Sequence, residues 1–81
     1  MIKKIKLATL PVGSSGMIAD LHIDGVMRRR LLDLGLIPNS KVTTVRKSPI
    51  GEPIAFLVRG TMLALRREDA EQISVILLED K

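Results

Sequence analysis

Asp24-Gly25-Val26-Met27-Arg28-Arg29-Arg30-Leu31-Leu32-Asp33-Leu34-Gly35-Leu36-Ile37-Pro38 carries helix punctuation at both ends. Met27, Leu31 and Leu34 recur at i, i+4 and i+7, the spacing of one helical face. Asp24 stands where an N-cap is wanted, Gly35 where a left-handed C-cap is wanted, and Pro38 follows three residues later. The pattern predicts a helix over residues 26–34. Leu31 and Leu34 are expected in the core, where truncation of either to alanine costs about 2–5 kcal/mol. Arg29 and Asp33 fall on the opposite side, placed to pair, and Arg28 and Arg30 flank the apolar stripe.

Working outward, every other segment reads as a strand or a turn. Residues 19–24 alternate, with Ala19, Leu21 and Ile23 on one face and Asp20, His22 and Asp24 on the other. Before them, the stretch from Leu7 reads as an extended segment ending in the turn Gly13-Ser14-Ser15-Gly16, with Pro11 as punctuation. After the helix, residues 41–47 and 54–59 form a hairpin around the turn-rich Ser48-Pro49-Ile50-Gly51-Glu52-Pro53. Gly60 separates a third strand at 61–65. One or two helical turns over 66–72, with Glu68 and Asp69 near their start, precede a last strand at 74–78. The expected fold is mainly β: a small SH3-like barrel of about five short strands, with one helix after the first strand and a short helical turn before the last. Closure or near-closure is the most economical way to manage so many sheet edges. An OB-fold would place its helix between the third and fourth strands, where only Gly60 stands.

Composition narrows the function classes. The 81 residues form one domain, 1–81, with 46% hydrophobic and 27% charged residues, which is globular composition. The absence of cysteine excludes disulfides, thiolate metal sites and thiol nucleophiles. A single histidine, His22, and a single aromatic, Phe56, argue against a His-rich metal cage and against base stacking on nucleic acid. The charged start Met1-Ile2-Lys3-Lys4-Ile5-Lys6 imitates a signal-peptide n-region, but the apolar run after it is too short and interrupted. No apolar run approaches the roughly 20 residues that span a bilayer. A cytoplasmic protein is expected, peripheral to a membrane only through a partner.

Charge is uneven along the chain. Arg28, Arg29, Arg30, Lys41, Arg46 and Lys47 face a single acid, Asp33, between residues 25 and 47, whereas residues 48–81 hold more acids than bases. Such a middle suits an anionic partner. Arg28 and Arg29, extended by Arg46 and Lys47 if the fold brings them alongside, are the candidate partner-binding residues. Consecutive helical residues diverge by about 100°, so the three arginines form no single claw. The Gly13–Gly16 turn lacks a Walker lysine and precedes a strand, which leaves it a turn. Asp20, His22 and Asp24 would share one side of a strand and include legitimate ligands for a divalent metal, but a solvated strand face produces the same pattern. No catalytic residue, metal ligand or cofactor is assigned.

The run Arg30-Leu31-Leu32-Asp33-Leu34-Gly35-Leu36-Ile37-Pro38-Asn39 resembles the signature of the FeoA family, ferrous iron transport protein A. Leu7…Leu10…Gly13, Pro49-Ile50-Gly51-Glu52-Pro53-Ile54 and Ala64-Leu65-Arg66-Arg67-Glu68-Asp69-Ala70 are similar to further marks of that family, in the same order. Two positions depart from it: Asn39 stands where glycine is usual and Glu52 where aspartate is commoner. Asparagine tolerates the left-handed conformation, so the turn is expected to survive. The resemblance implies an SH3-like accessory protein of ferrous iron uptake that docks on the membrane transporter FeoB, whose cytosolic domain binds GTP. The family is also similar to the SH3-like domain of DtxR-type metal-dependent repressors, which keeps transition-metal binding as an alternative. A nucleic-acid-binding barrel is the other. Exchanging Arg28 and Arg29 for glutamate is expected to weaken docking and leave stability nearly intact.

Overall fold

A computed structural model describes residues 3–78; Met1, Ile2 and residues 79–81, which the single-domain span includes, lie outside the described residues. Strand β1 (Lys4–Lys6) leads through a 3-10 turn (Leu7–Thr9) to β2 (Ser15–Leu21), helix α1 (Gly25–Asp33), β3 (Lys41–Lys47), β4 (Ile54–Val58), β5 (Thr61–Leu65), helix α2 (Arg67–Ala70) and β6 (Ile73–Leu78). The strands form one six-stranded sheet in the order β1-β6-β2-β3-β4-β5, antiparallel at every pairing. The small SH3-like fold is present, but the sheet is open: β1 and β5 end it without pairing to each other.

The sixth strand is β1, inside the charged start that reads as a leader-like segment. Three residues are too few for a period to show. The extended segment expected from Leu7 is a 3-10 turn, closed by the Leu10 N–H donating to the Leu7 carbonyl at 3.1 Å. Three residues per turn stack positions i and i+3, so Leu7 and Leu10 both enter the core, each 0% exposed.

Strand β2 starts at Ser15 and ends at Leu21, earlier at both ends than its alternation suggests. Gly16 is the cause. It is a strand residue, not a turn residue: a Cβ there would lie 3.1 Å from the Ile76 carbonyl oxygen and from Val75 Cγ2. Glycine lets β6 approach β2 closely. A bulge between Ile18 and Asp20 then shifts the register against β6, so the apparent 19–21–23 stripe crosses an irregularity. Leu21 and Ile23 are buried as expected; Ala19 is half-buried. A second bulge, between Thr44 and Arg46, turns Val45 out to solvent.

Between β4 and β5 the chain reverses in two residues, both with positive φ, Arg59 at 50° and Gly60 at 81°. This is the type I′ geometry that matches strand twist. Arg59 therefore belongs to the turn and not, as expected, to the strand.

The inner face of the sheet collects Ile18, Val42, Ile54, Phe56, Val58, Ile73 and Val75, each at most 1% exposed. One polar group sits among them. Thr44 is 0% exposed and its Oγ1 has no hydrogen-bond partner. An unsatisfied buried hydroxyl costs about 1–3 kcal/mol, and valine has nearly the same shape without it. Thr44→Val is therefore expected to stabilise the domain by about 1 kcal/mol. An upward shift of the urea midpoint at unchanged slope checks this; a downward shift refutes it.

Candidate functional site

Among the described residues, helix α1 is the one regular helix of more than a single turn, and its ends explain its placement. Asp24 precedes it in extended conformation but makes no side-chain cap hydrogen bond, so the expected carboxylate cap does not form. The other end is a Schellman motif. The Leu36 N–H donates to the Leu31 carbonyl at 3.0 Å and the Gly35 N–H to the Leu32 carbonyl at 3.1 Å, with Gly35 at φ +107°. The reversal folds Leu36 back beside Leu31, and both are buried, at 0% and 1% exposure. Leu34 thereby loses the core position expected for it. It is 39% exposed, because Leu36 takes the inward place after the turn.

Arg28, Arg29 and Arg30 are all exposed on α1, and they do different things. Arg28 donates from Nη1 to the Leu21 carbonyl at 2.7 Å, tying the helix to the end of β2. This bond makes Arg28→Glu a structural change as well as a charge change, contrary to the expectation of near-intact stability. Arg29 borders two shallow depressions, one shared with Gly25, Arg28, Leu32 and Asp33, the other with Val26, Arg30, Asp33 and Leu34. The expected Arg29–Asp33 ion pair is not formed; among the described residues the ion pair found is Lys4–Asp20. Val26, 86% exposed, adds apolar area to this cationic face. Exposed apolar side chains beside arginine are the composition of protein-docking surfaces.

Arg46 and Lys47 line neither depression. Arg46 is exposed next to the β3 bulge, and Lys47 reaches the Ala8 carbonyl at 3.4 Å. A different basic residue comes alongside α1. Arg66, just ahead of α2, lines a groove of ≈ 370 Å³ with Met27, Arg30, Leu31 and Leu34 of α1, with Leu63, Ala64 and Leu65 of β5, and with Asp69. Nothing in the sequence spacing links Arg66 to Arg30; only the path of β5 does.

The Asp20, His22, Asp24 trio does not share a strand face. Strand β2 ends at Leu21, and Asp24 sits at the start of α1. Lys4 pairs with Asp20, and its hydrogen bond holds that carboxyl below the usual aspartate range. Because the folded state favours the charged form, the pair's contribution is present above the carboxylate range and is lost as pH falls through it. Both partners are well exposed, so the contribution is small.

A model of the FeoA domain matches residues 5–77. The chain belongs to the FeoA domain family. A Porphyromonas gingivalis protein described as an Fe(2+) transport protein A/Fe(2+) transporter FeoB fusion is 31% identical over 74 residues. The match takes in 91% of this chain but only 9% of that relative. The solution structure of the FeoA protein from Chlorobium tepidum is 36% identical, with a TM-score of 0.89 over 95% of this chain and 74% of that one. Stenotrophomonas maltophilia FeoA, solved in complex with zinc and described as an SH3 domain protein, is 36% identical with a TM-score of 0.72, covering 85% of this chain and 86% of its own.

In this FeoA domain the motif residues mostly build the scaffold. Gly35 makes the Schellman reversal, and Asn39 holds φ 76° as its tolerance for that conformation predicts. Glu52, a departure from the family pattern, accepts the Arg67 backbone N–H at 3.0 Å through Oε1. It caps the start of α2 from a neighbouring loop, where Arg66 supplies no side-chain cap.

Proposed function

We propose that this FeoA domain is a small cytoplasmic, non-catalytic accessory of ferrous iron uptake that docks on, and regulates, a FeoB-type membrane transporter with a GTP-binding domain. The observation that carries this reading is the Porphyromonas relative, in which a segment 31% identical to this chain is described as fused to FeoB. Fusion holds two modules at high effective concentration, an arrangement useful to partners that act together. The description of the Stenotrophomonas protein as a candidate activating factor of ferrous iron transport agrees with regulation. Among the described residues no helix is long and apolar enough to cross a membrane, so the contact with the membrane runs through the partner.

The proposed interface centres on the α1 face bearing Arg28 and Arg29; Arg46 and Lys47, which line neither of its depressions, stand outside that centre. Arg29 is the clean probe, because Arg28 also holds the Leu21 carbonyl. Tagged wild-type protein is expected to capture detergent-solubilised FeoB from the same organism at micromolar concentration. Arg29→Glu is expected to weaken that capture at least tenfold, and Arg46→Glu to weaken it less. Equal capture by wild type and a folded Arg29→Glu variant keeps the partner and removes α1 from the interface. Absence of capture by wild type, with and without guanine nucleotide, refutes the docking reading.

A further inference from the structure

The two ends of the open sheet are unlike. Strand β1 presents Lys4 and Lys6, both exposed, the charged protection that natural edge strands carry against unwanted pairing. Strand β5 is Thr61-Met62-Leu63-Ala64-Leu65, with no charge, no proline and no bulge in its register with β4. The two-residue Arg59-Gly60 turn makes Val58 and Thr61 a hydrogen-bonded pair, and the alternation of an antiparallel ladder then turns the N–H and C=O of Met62 and Ala64 outward. Neither residue has a backbone hydrogen bond outside that ladder. Their side chains add apolar surface: Met62 is 56% exposed and its cross-strand partner Leu57 is 39% exposed. Alongside β5 runs the groove walled on its other side by Met27, Leu31 and Leu34 of α1. An unpaired strand edge beside a trough lined by apolar side chains is the kind of surface that takes an added strand.

We infer that β5 is a strand-addition site: an extended segment of the partner, apolar at alternate positions and flanked by carboxylates, pairs with Met62 and Ala64 in the groove beside α1. Charge selects this occupant over a second copy of the chain. Antiparallel self-pairing about Leu63 sets Met62 opposite the other copy's Ala64 and brings a second Arg30 and a second Arg66 to the same edge. Like charges so placed oppose the dimer. Arg30 and Arg66, which outnumber Asp69 on the groove wall, attract the carboxylates of an incoming strand. The source of that strand, a cytosolic segment of the transporter, rests on the docking reading; the edge itself does not.

Two measurements keep these apart. The first titrates isotope-labelled protein with an acetylated, amidated peptide of the form Glu-Glu-Val-Thr-Val-Thr-Val-Glu-Glu, and with its Lys-for-Glu counterpart. Met62 and Ala64 amides are expected to exchange freely with solvent in the free protein and to become protected by the acidic peptide. The lysine peptide is expected to bind at least tenfold more weakly. Ala64→Pro removes an outward N–H and no ladder bond, so it preserves the sheet and abolishes the protection. No binding of the acidic peptide at millimolar concentration, protection elsewhere, or equal binding by a folded Ala64→Pro variant overturns the site. So does a wild-type dimer, seen by sedimentation, that Ala64→Pro dissociates, since it hands the edge to a second copy. The second measurement repeats the FeoB capture with Ala64→Pro: lost capture supports the transporter as source, and undiminished capture by that variant removes it while the docking reading stands.

Discussion

Phe56→Ala is expected to cost about 3–5 kcal/mol, the largest loss from any single truncation in this chain. Phe56 is 0% exposed and the largest fully buried side chain. It lies in β4 between Ile54 and Val58, which face the same way and are 1% and 0% exposed, and it stands opposite Thr44 on β3 and Leu63 on β5. Removing the ring leaves a cavity bounded by three strands of one ladder, which cannot close without bending all three. A domain of this size has a stability of roughly 4–12 kcal/mol at ~0.05–0.15 kcal/mol per residue, so the variant approaches the unfolding threshold. With no tryptophan or tyrosine in the chain, the measurement is urea unfolding followed by far-ultraviolet circular dichroism. A loss below about 1.5 kcal/mol refutes the central role given to the ring.

Leu31→Ala is expected to cost about 2–5 kcal/mol, while Leu34→Ala, three residues on in the same apolar stripe, costs less than about 1 kcal/mol. Leu31 is 1% exposed and meets Leu36 across the Schellman turn; Leu34 is 39% exposed and lines the groove beside β5. Truncating Leu31 therefore loses both core packing and the contact that holds the helix terminus, whereas truncating Leu34 removes area that solvent already reaches. The same urea experiment on both variants checks the contrast. Equal losses would mean that the helix does not end where Gly35 places its reversal. Reduced FeoB capture by a fully stable Leu34→Ala variant would in addition tie the groove to docking.

These contrasts show how far local sequence carries. The helix, its glycine terminus, the hairpin at Gly51 and the positive φ of Asn39 were legible because each depends on a few neighbouring residues. Several mistaken positions have one thing in common: a distant strand decides them. Gly16 reads as a turn residue, yet it is a strand residue that β6 approaches so closely that a Cβ would crowd Val75 and the Ile76 carbonyl. Arg28 reads as a free cation, yet the end of β2 lies within its reach. At the candidate site, Arg29 was readable as an exposed helix charge, whereas Arg66 stands beside Arg30 only because β5 returns beside α1.

By itself, then, the sequence determined a small β-rich fold with one helix ended by a glycine, a basic middle and the family to which the chain belongs. Periodicity, turn chemistry and motif order all act over a few residues and survive without coordinates. The tertiary structure decided which apolar residues face inward, which arginines are tethered and which strand edge is left bare. Those properties come from register, bulges and the order β1-β6-β2-β3-β4-β5. Strand order rests on pairings between residues far apart in the chain, and no local pattern encodes which edge remains without a neighbour.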